Sequence, residues 1–532
     1  MDEPKAEQGN SGIISPQVSE DCCREREMEM EMRGFLTLSA PLADKEALAM
    51  FVENANLSIL SKGAPGGKGA KITEWSIGAD WKIVNLKIIS GRYVRPHDAL
   101  LRFRKAFAAE FGKKYKIGVR DAKIESYTIK LPLPVEPAHP FQIPFAELSF
   151  EGASCTMTLK DVTEDFLQKN YIDRMITLVA GKVEQQKYEG KAEFWQLMWQ
   201  SPAKQEAWTK DPTEEMIALD WLKQGSTKGK WFFRPQAAAI LKAMEEIAIE
   251  EVLKPLGFQE IMEPHHDSFE TLLKTGHLEG MPQEHYYLFE PKTRDPAAWE
   301  QFRDYVKITK EVPVDEFQKL VQPSMSAVCY AQCPTIYWSF QGKTIAEDSL
   351  PVLVFDDTAV SNRYESGGRH GIERVDEFHR IEPVYIGTKE QLVELREKLI
   401  ERCKHVFNDV LDLEWRMAWV TPFYMQQSGQ AGVDDADAKV KGTIDFEAHL
   451  PYRGARETSE WLEFQNLSIV GDKYTKAFNI KAQKSELWSG CSGIGLERWT
   501  AAFLAQKGLD PTKWPVGFRK YLPELPKGIK FM

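Results

Sequence analysis

Arg363-Tyr364-Glu365, followed by Arg369, Arg374 and Phe378, forms an Arg-x-Glu segment, a short loop and an Arg-x-x-x-Phe return. Across one hairpin these residue types fit a nucleoside triphosphate. The Arg363 guanidinium can neutralise an α-phosphate under attack by a carboxylate, Glu365 can accept from the adenine amino group, and Phe378 offers a face to the purine. The loop Ser366-Gly367-Gly368-Arg369-His370-Gly371 turns tightly and presents basic groups. An ordinary charged hairpin has the same composition, so the hairpin alone does not decide the chemistry.

Two further segments bear on it. Pro235 to Leu253 is rich in strong helix formers, starts on proline and sets Ile240, Met244, Ile247 and Val252 on one face. Gly257 to Pro264 then reads as a strand closed by proline. Near the C-terminus, Ser492-Gly493-Ile494-Gly495-Leu496-Glu497-Arg498-Trp499 is a glycine-bearing turn feeding a helix through Phe503 and Leu504, with Arg498 in the first helical turn. Small residues there permit close approach of the backbone to a phosphate or a ring.

In this order the three segments resemble the motifs of the class II aminoacyl-tRNA synthetases. Within that class the chain resembles the rare methanogenic archaeal, zinc-dependent type of seryl-tRNA synthetase. The resemblance is most specific from Gly276-His277-Leu278-Glu279-Gly280-Met281-Pro282 through Gln332-Cys333-Pro334 to Ser489-Gly490-Cys491, and it runs from about residue 33 to the end. It implies an α+β fold whose catalytic domain is an antiparallel sheet flanked by helices. The activity implied is activation of serine with Mg-ATP and transfer to tRNA(Ser), with tRNA(Sec) a further candidate acceptor. The roles carried over are ATP binding by Arg363, Glu365, Arg374, Phe378, Glu463 and Arg498, with Arg363 and Arg498 acting directly on the reaction. Serine binding falls to Glu365, Gln427 and Asn466. A homodimer formed through the Pro235 to Pro264 segment is implied as well.

Seven cysteines, Cys22, Cys23, Cys155, Cys329, Cys333, Cys403 and Cys491, make an odd, scattered set. That pattern favours reduced thiols with metal ligation to be tested. Any one of them more often serves as a small buried residue. The resemblance singles out Cys333, Glu382 and Cys491 as ligands of one zinc ion per subunit, with Cys329 a competitor four residues from Cys333. Two thiolates and a carboxylate leave a fourth tetrahedral position open, as in catalytic sites, and an amino acid's α-amine can fill it. Cys155 and Cys403 read as structural, and His379 as a packed or hydrogen-bonded histidine.

A chain of 532 residues, 43% hydrophobic and 28% charged with a formal net charge of -11, holds two or three domains. It has no apolar run long enough for a membrane span and no apolar signal core, which points to the cytoplasm. The expected organisation is a disordered leader over 1–32, within which translation can begin later than Met1, and an N-terminal α+β domain over 33–160. A helical linker over 161–230 and the catalytic domain over 231–532 follow. From Glu290 to Gln322 and around Gln430 to Val440 the sequence reads as insertions or long loops. The helix Lys389 to Leu411, with the segment through Pro422 to Gly429, resembles the helix-turn-helix that caps the serine pocket. Gln427 within it is the candidate partner of the serine hydroxyl, since a buried amide penalises a substrate lacking that group.

Between residues 57 and 123 fifteen Lys and Arg face five Asp and Glu, 15 - 5 = +10 in a chain whose total is -11. Positive charge concentrated in one domain of an acidic protein points to a polyanion, and the resemblance makes it transfer RNA. Tyr93 and Trp81 offer rings in this window, with burial the expected state of both. Glu463 and Asn466, on an alternating strand from Glu460 to Ser468, match positions that meet Mg-ATP and substrate, with Glu460 as an alternative.

Three rivals remain on sequence grounds. A threonyl-type synthetase ligates zinc through Cys-His-His, against Cys-Glu-Cys here. An amino acid:carrier-protein ligase lacks an N-terminal RNA-binding domain. A non-enzymatic RNA-binding paralogue has no need of Arg363, Glu365, Phe378, Glu463 and Arg498 together.

Overall fold

The computed structural model describes residues 28–133, 135–160, 162–186, 194–205, 207–364, 368–421 and 440–529. The chain divides into two compact units on either side of Ala192 and Glu193.

In the first unit six strands pair antiparallel in the order Lys71–Ile77, Ile83–Ser90, Glu29–Leu38, Val119–Pro132, Ser154–Leu159, Ala146–Phe150. The expected leader ends earlier than residue 32. Glu29 to Met32 open the first strand because Met30 and Met32 alternate with the two glutamates and are fully buried, a period-2 pattern that high local charge masked. The rest of the leader, residues 1–27, lies outside the described residues. The helix Pro96–Lys114 starts on proline and places Phe103, Phe107 and Phe111 one turn apart, against Phe51 at centroid distances of 5.1 to 5.7 Å.

The segment expected as a helical linker is instead shared between the units. The helix Tyr171–Gln186 buries Ile172, Met175, Val179 and Val183 in the first unit's core, whereas Phe194–Gln200 is an edge strand of the second unit's sheet. Trp81 and Tyr93 are not buried as expected but 44% and 39% exposed. Tyr93 lies beneath Arg92 and near Lys68, at 4.9 and 6.0 Å from the ring centre. Arg95 is tied to Asp173 by an ion pair.

The second unit is built on a nine-stranded sheet. Its order is Gln259–Glu260, Val352–Asp356, Glu377–Gly387, Trp488–Gly495, Leu462–Gly471, Gly442–Ala448, Trp415–Thr421, Phe194–Gln200, with Val360–Asn362 paired onto Glu377–Gly387. All these pairs are antiparallel except the first. The helices Pro235–Ile247, Lys389–His405 and Leu496–Lys507 share one core against it. Ile240, Met244, Ile247 and Val252 are all fully buried in that core, as the spacing predicts.

Lys389–His405 carries a capping box at Thr388 and buries Leu392, Leu395, Leu399, Ile400 and Cys403. It is a core helix followed by the sheet strand Trp415–Thr421, not the first half of a helix-turn-helix cap. Residues 422–439, Gln427 among them, lie outside the described residues. The expected insertion over Glu290 to Gln322 holds two short helices, Glu300–Thr309 and Val314–Leu320, between the paired strands Tyr287–Pro291 and Val321–Val328.

Candidate active site

Strand alternation assembles the site. On Glu377–Gly387 the residues Phe378, Arg380 and Glu382 share one face. The neighbouring strand Trp488–Gly495 pairs Arg380 with Gly495 and Val384 with Cys491, which sets Cys491 beside Glu382. Cys333 opens the helix Cys333–Ser339 and completes the group. One ligand atom from each of Cys333, Glu382 and Cys491 lies within 4.8 Å of the others, close enough for the three to hold one metal ion.

The chemistry of this group suits a divalent cation. Glu382 is fully buried, and neither of its oxygens has a hydrogen-bond donor, although Arg380 stands 2.5 Å away as an ion pair. Burial pushes its carboxyl up against the pull of Arg380 and the two thiols. Sharing a proton with Cys491 pushes the Cys333 thiol well up, with burial adding to it. A cation in their midst reverses both shifts, because it replaces the protons that burial otherwise demands. Cys329, the competitor, turns away with its Sγ 3.8 Å from Glu263 Oε1. Cys155 and Cys403 are buried and unpaired in any disulfide.

The residues expected to bind nucleotide surround the same sheet face. Arg363 follows Val360–Asn362, and its Cζ lies 4.9 Å from the Tyr330 ring and 5.1 Å from that of Phe378. Arg374 pairs with Glu460 at 2.8 Å, and Arg498 reaches Glu463 at 3.3 Å and the Glu373 carbonyl at 3.1 Å. Asn466 accepts from the Gly493 backbone N–H at 3.0 Å. A cleft of about 590 Å³ is lined by Arg374, Glu460, Glu463 and Arg498 together with Trp195, Arg416, Asp445, Glu447 and Trp461. Glu365 and the loop glycine Gly367 lie outside the described residues. Arg369 makes two hydrogen bonds to the buried Asp376, at 2.8 and 2.6 Å.

Several residues of this site escaped the sequence reading. Glu373 is fully buried and takes hydrogen bonds from His370, Tyr452 and Arg453 at 2.7, 2.5 and 2.5 Å, fixing the return of the hairpin whose carbonyl meets Arg498. His379 is hydrogen-bonded, as expected. It meets buried Glu497 at 2.7 Å, and that carboxylate also takes the His379 backbone N–H and raises the imidazole's basicity. The Phe378 strand is thereby joined to the Arg498 helix. Arg380 does carry a local signal, its alternation with Phe378 and Glu382 on one strand.

The glycine-bearing segment expected as a turn is the end of the strand Trp488–Gly495, which runs straight into the Arg498 helix, and Gly493 shows why it needs glycine. A Cβ there would stand 2.3 Å from Arg380 Nη2 and 2.7 Å from its Cζ, and buried Arg380 has nowhere to move. Gly493→Ala is expected to cost about 1–3 kcal/mol by overpacking. It should also displace Arg380 from Glu382 and lower metal affinity, checked by chemical denaturation and by metal retention through dialysis.

A largely antiparallel sheet with a helix-strand-proline segment at its edge, an Arg hairpin and a glycine-bearing strand leading into Arg498, the last two lining one cleft, defines a class II aminoacyl-tRNA synthetase. A family of tRNA-binding domains matches residues 28–181. The type-2 serine–tRNA ligase of Methanococcoides burtonii is 47% identical over 508 residues, 95% of this chain and all of the relative. That of Methanothrix thermoacetophila is 45% identical over 515 residues, again 95% of this chain and all of the relative. The crystal structure of A. aeolicus tRNASec in complex with the M. kandleri seryl-tRNA synthetase superposes with a TM-score of 0.81 at 29% identity, covering 95% of this chain and 99% of that one. The chain belongs to the type-2 serine–tRNA ligase family. It is an ATP-dependent serine–tRNA ligase, activating serine and transferring it to tRNA(Ser).

Proposed function

We propose that this ligase recognises serine by its α-amine at Cys333, Glu382 and Cys491 acting as ligands of one zinc ion. The convergence of two thiols and a donor-poor buried carboxylate within 4.8 Å carries the reading. A zinc ion with three such ligands supplies an electrophilic fourth position suited to an amine. The protein's own part is orientation and charge. Arg363, steadied by Tyr330 and Phe378, neutralises the α-phosphate as the serine carboxylate attacks it. Arg374 and Arg498 take the departing phosphates, while Glu463 and Asn466 suit the magnesium and ribose side. Phe378 faces the purine and Glu365 its amino group, with Glu365 and Asn466 also meeting serine. Gln427 is the candidate for the serine hydroxyl.

The Cys-Glu-Cys set favours serine over threonine. ATP–pyrophosphate exchange is expected with serine and not with threonine; preferential exchange with threonine overturns the assignment. The basic window of the first unit serves transfer RNA, tRNA(Ser) and by extension tRNA(Sec). Charge reversal at Arg92, Arg102 and Lys105 should weaken RNA binding and flatten its salt dependence while serine activation stays constant. Arg95 is left out because Asp173 already engages it. Binding curves at two salt concentrations check this. The Pro235 to Pro264 segment, whose Met262 is 77% exposed, is the proposed two-fold contact of a homodimer. Among the described residues no helix is long and apolar enough to cross a membrane, in keeping with a cytoplasmic enzyme.

A further inference from the structure

The strand Trp415–Thr421 brings a third arginine to the cleft that holds Arg374 and Arg498. We propose that Arg416 is a further substrate-binding residue, whose guanidinium takes a terminal phosphate oxygen of magnesium-bound ATP and of the pyrophosphate it releases. The inference rests on the reading of this cleft as the ATP site.

Sheet register puts Arg416 in position. Arg416 pairs with Glu447 and Glu447 with Glu463, so the three form one row across three strands. Two strand spacings make roughly 10 Å between the Arg416 and Glu463 backbones. A polyphosphate chain held at Glu463 and Arg498 is within reach of an arginine side chain from there. The guanidinium is also fixed in advance. Its Cζ lies 4.7 Å from the Trp195 ring and 4.5 Å from the Trp461 ring. Its Nε is 2.5 Å from Glu447, which also accepts from the Trp195 indole N–H at 2.8 Å. Among the described residues this Nε contact is the only side-chain hydrogen bond Arg416 makes, leaving the Nη hydrogens for a ligand. A planar, weakly hydrated guanidinium suits such stacking, and a lysine does not.

The other lining groups select the ligand class. Each arginine of the cleft faces a carboxylate, Arg374 with Glu460, Arg498 with Glu463 and Arg416 with Glu447, and Asp445 adds a fourth acid. Such a mixed set matches phosphate oxygens and magnesium together better than a bare anion. A nucleobase stacked on the 44% exposed Trp195 is the competing occupant.

Arg416→Gln and the double variant Arg416→Gln/Glu447→Gln, which avoids an unpaired buried carboxylate, test the assignment in the full-length enzyme. Both should raise the KM for pyrophosphate and ATP in serine-dependent exchange by about tenfold or more, the loss of one charge-assisted hydrogen bond. The KM values for serine and tRNA should stay within about twofold, and Arg416→Lys should recover little. Unchanged KM for ATP and pyrophosphate in the double variant overturns the proposal, as does a rise confined to tRNA. Arg374→Gln, measured alongside, separates the two levels: if it moves these constants and Arg416→Gln does not, only the Arg416 assignment fails. If neither moves them, the reading of the cleft fails as well.

Discussion

Cys333→Ala or Cys491→Ala is expected to release the proposed zinc ion and to lower serine-dependent ATP–pyrophosphate exchange by more than about 10²-fold, since even partners behind a metal's ligands are worth 10–100-fold. The fold should survive. Cys491 is partly exposed, and Cys333 begins a seven-residue helix whose Ile336 and Tyr337 remain as anchors in a core separate from the main one. Loss of a small thiol there leaves a modest cavity, and the far-ultraviolet spectrum and unfolding midpoint should change little. Metal content by elemental analysis and exchange rates with serine provide the check. Retention of both metal and activity in either variant contradicts the ligand assignment. Cys329→Ala, whose thiol points to Glu263, should keep both.

Arg363→Ala should lower kcat for exchange by about 10²–10³-fold, the range for removing one preorganised donor from developing charge. The KM for serine should change far less, because the role proposed for Arg363 is at the phosphate and not at the amine. Lysine is a poor substitute. The guanidinium lies against two rings, at 4.9 Å from Tyr330 and 5.1 Å from Phe378, and a compact ammonium loses the plane that makes those contacts. Tyr330 is held in turn by Glu284, 2.7 Å from its hydroxyl, and by the His285 ring stacked 4.7 Å away. Comparable kcat in Arg363→Lys and the unmodified enzyme would show that charge alone suffices at this position.

What was legible in the sequence had a local period or a fixed spacing. The helix face of Ile240, Met244 and Ile247 and the Arg-x-x-x-Phe return of the hairpin were readable because contacts three, four or two residues apart dictate them. The candidate metal group was not readable from spacing. Cys333, Glu382 and Cys491 sit on a helix and two strands that meet only after the sheet has formed, and the resemblance alone named them together. Glu373, Tyr330 and Glu497 left no local signal, since their roles consist of contacts to residues distant in sequence.

Two missed strands did carry signals. Met30 and Met32 alternate with glutamates and are obscured by charge, and the tryptophans of Phe194–Gln200 follow a helical stretch, which gives that strand the pattern of a linker. Arg416 lies between Trp415 and Met417 in a strand that is otherwise apolar up to its last residue, Thr421, a position where an arginine calls for a partner or a ligand. Trp81 and Tyr93 misled in the opposite direction. Aromatic residues are usually covered, and only the tertiary structure shows these two at the surface among cations.

X-ray absorption at the zinc edge of the purified enzyme, with and without serine, tests the amine-recognition reading most directly. The expected first shell contains two sulfur scatterers at about 2.3 Å and light atoms at about 2.0–2.2 Å. Addition of serine should alter only the light-atom component, whereas 3-hydroxypropanoate, which lacks the amine, should leave it unchanged. A shell of four sulfurs, a protein without stoichiometric zinc, or a spectrum indifferent to serine would contradict recognition of the amine at Cys333, Glu382 and Cys491.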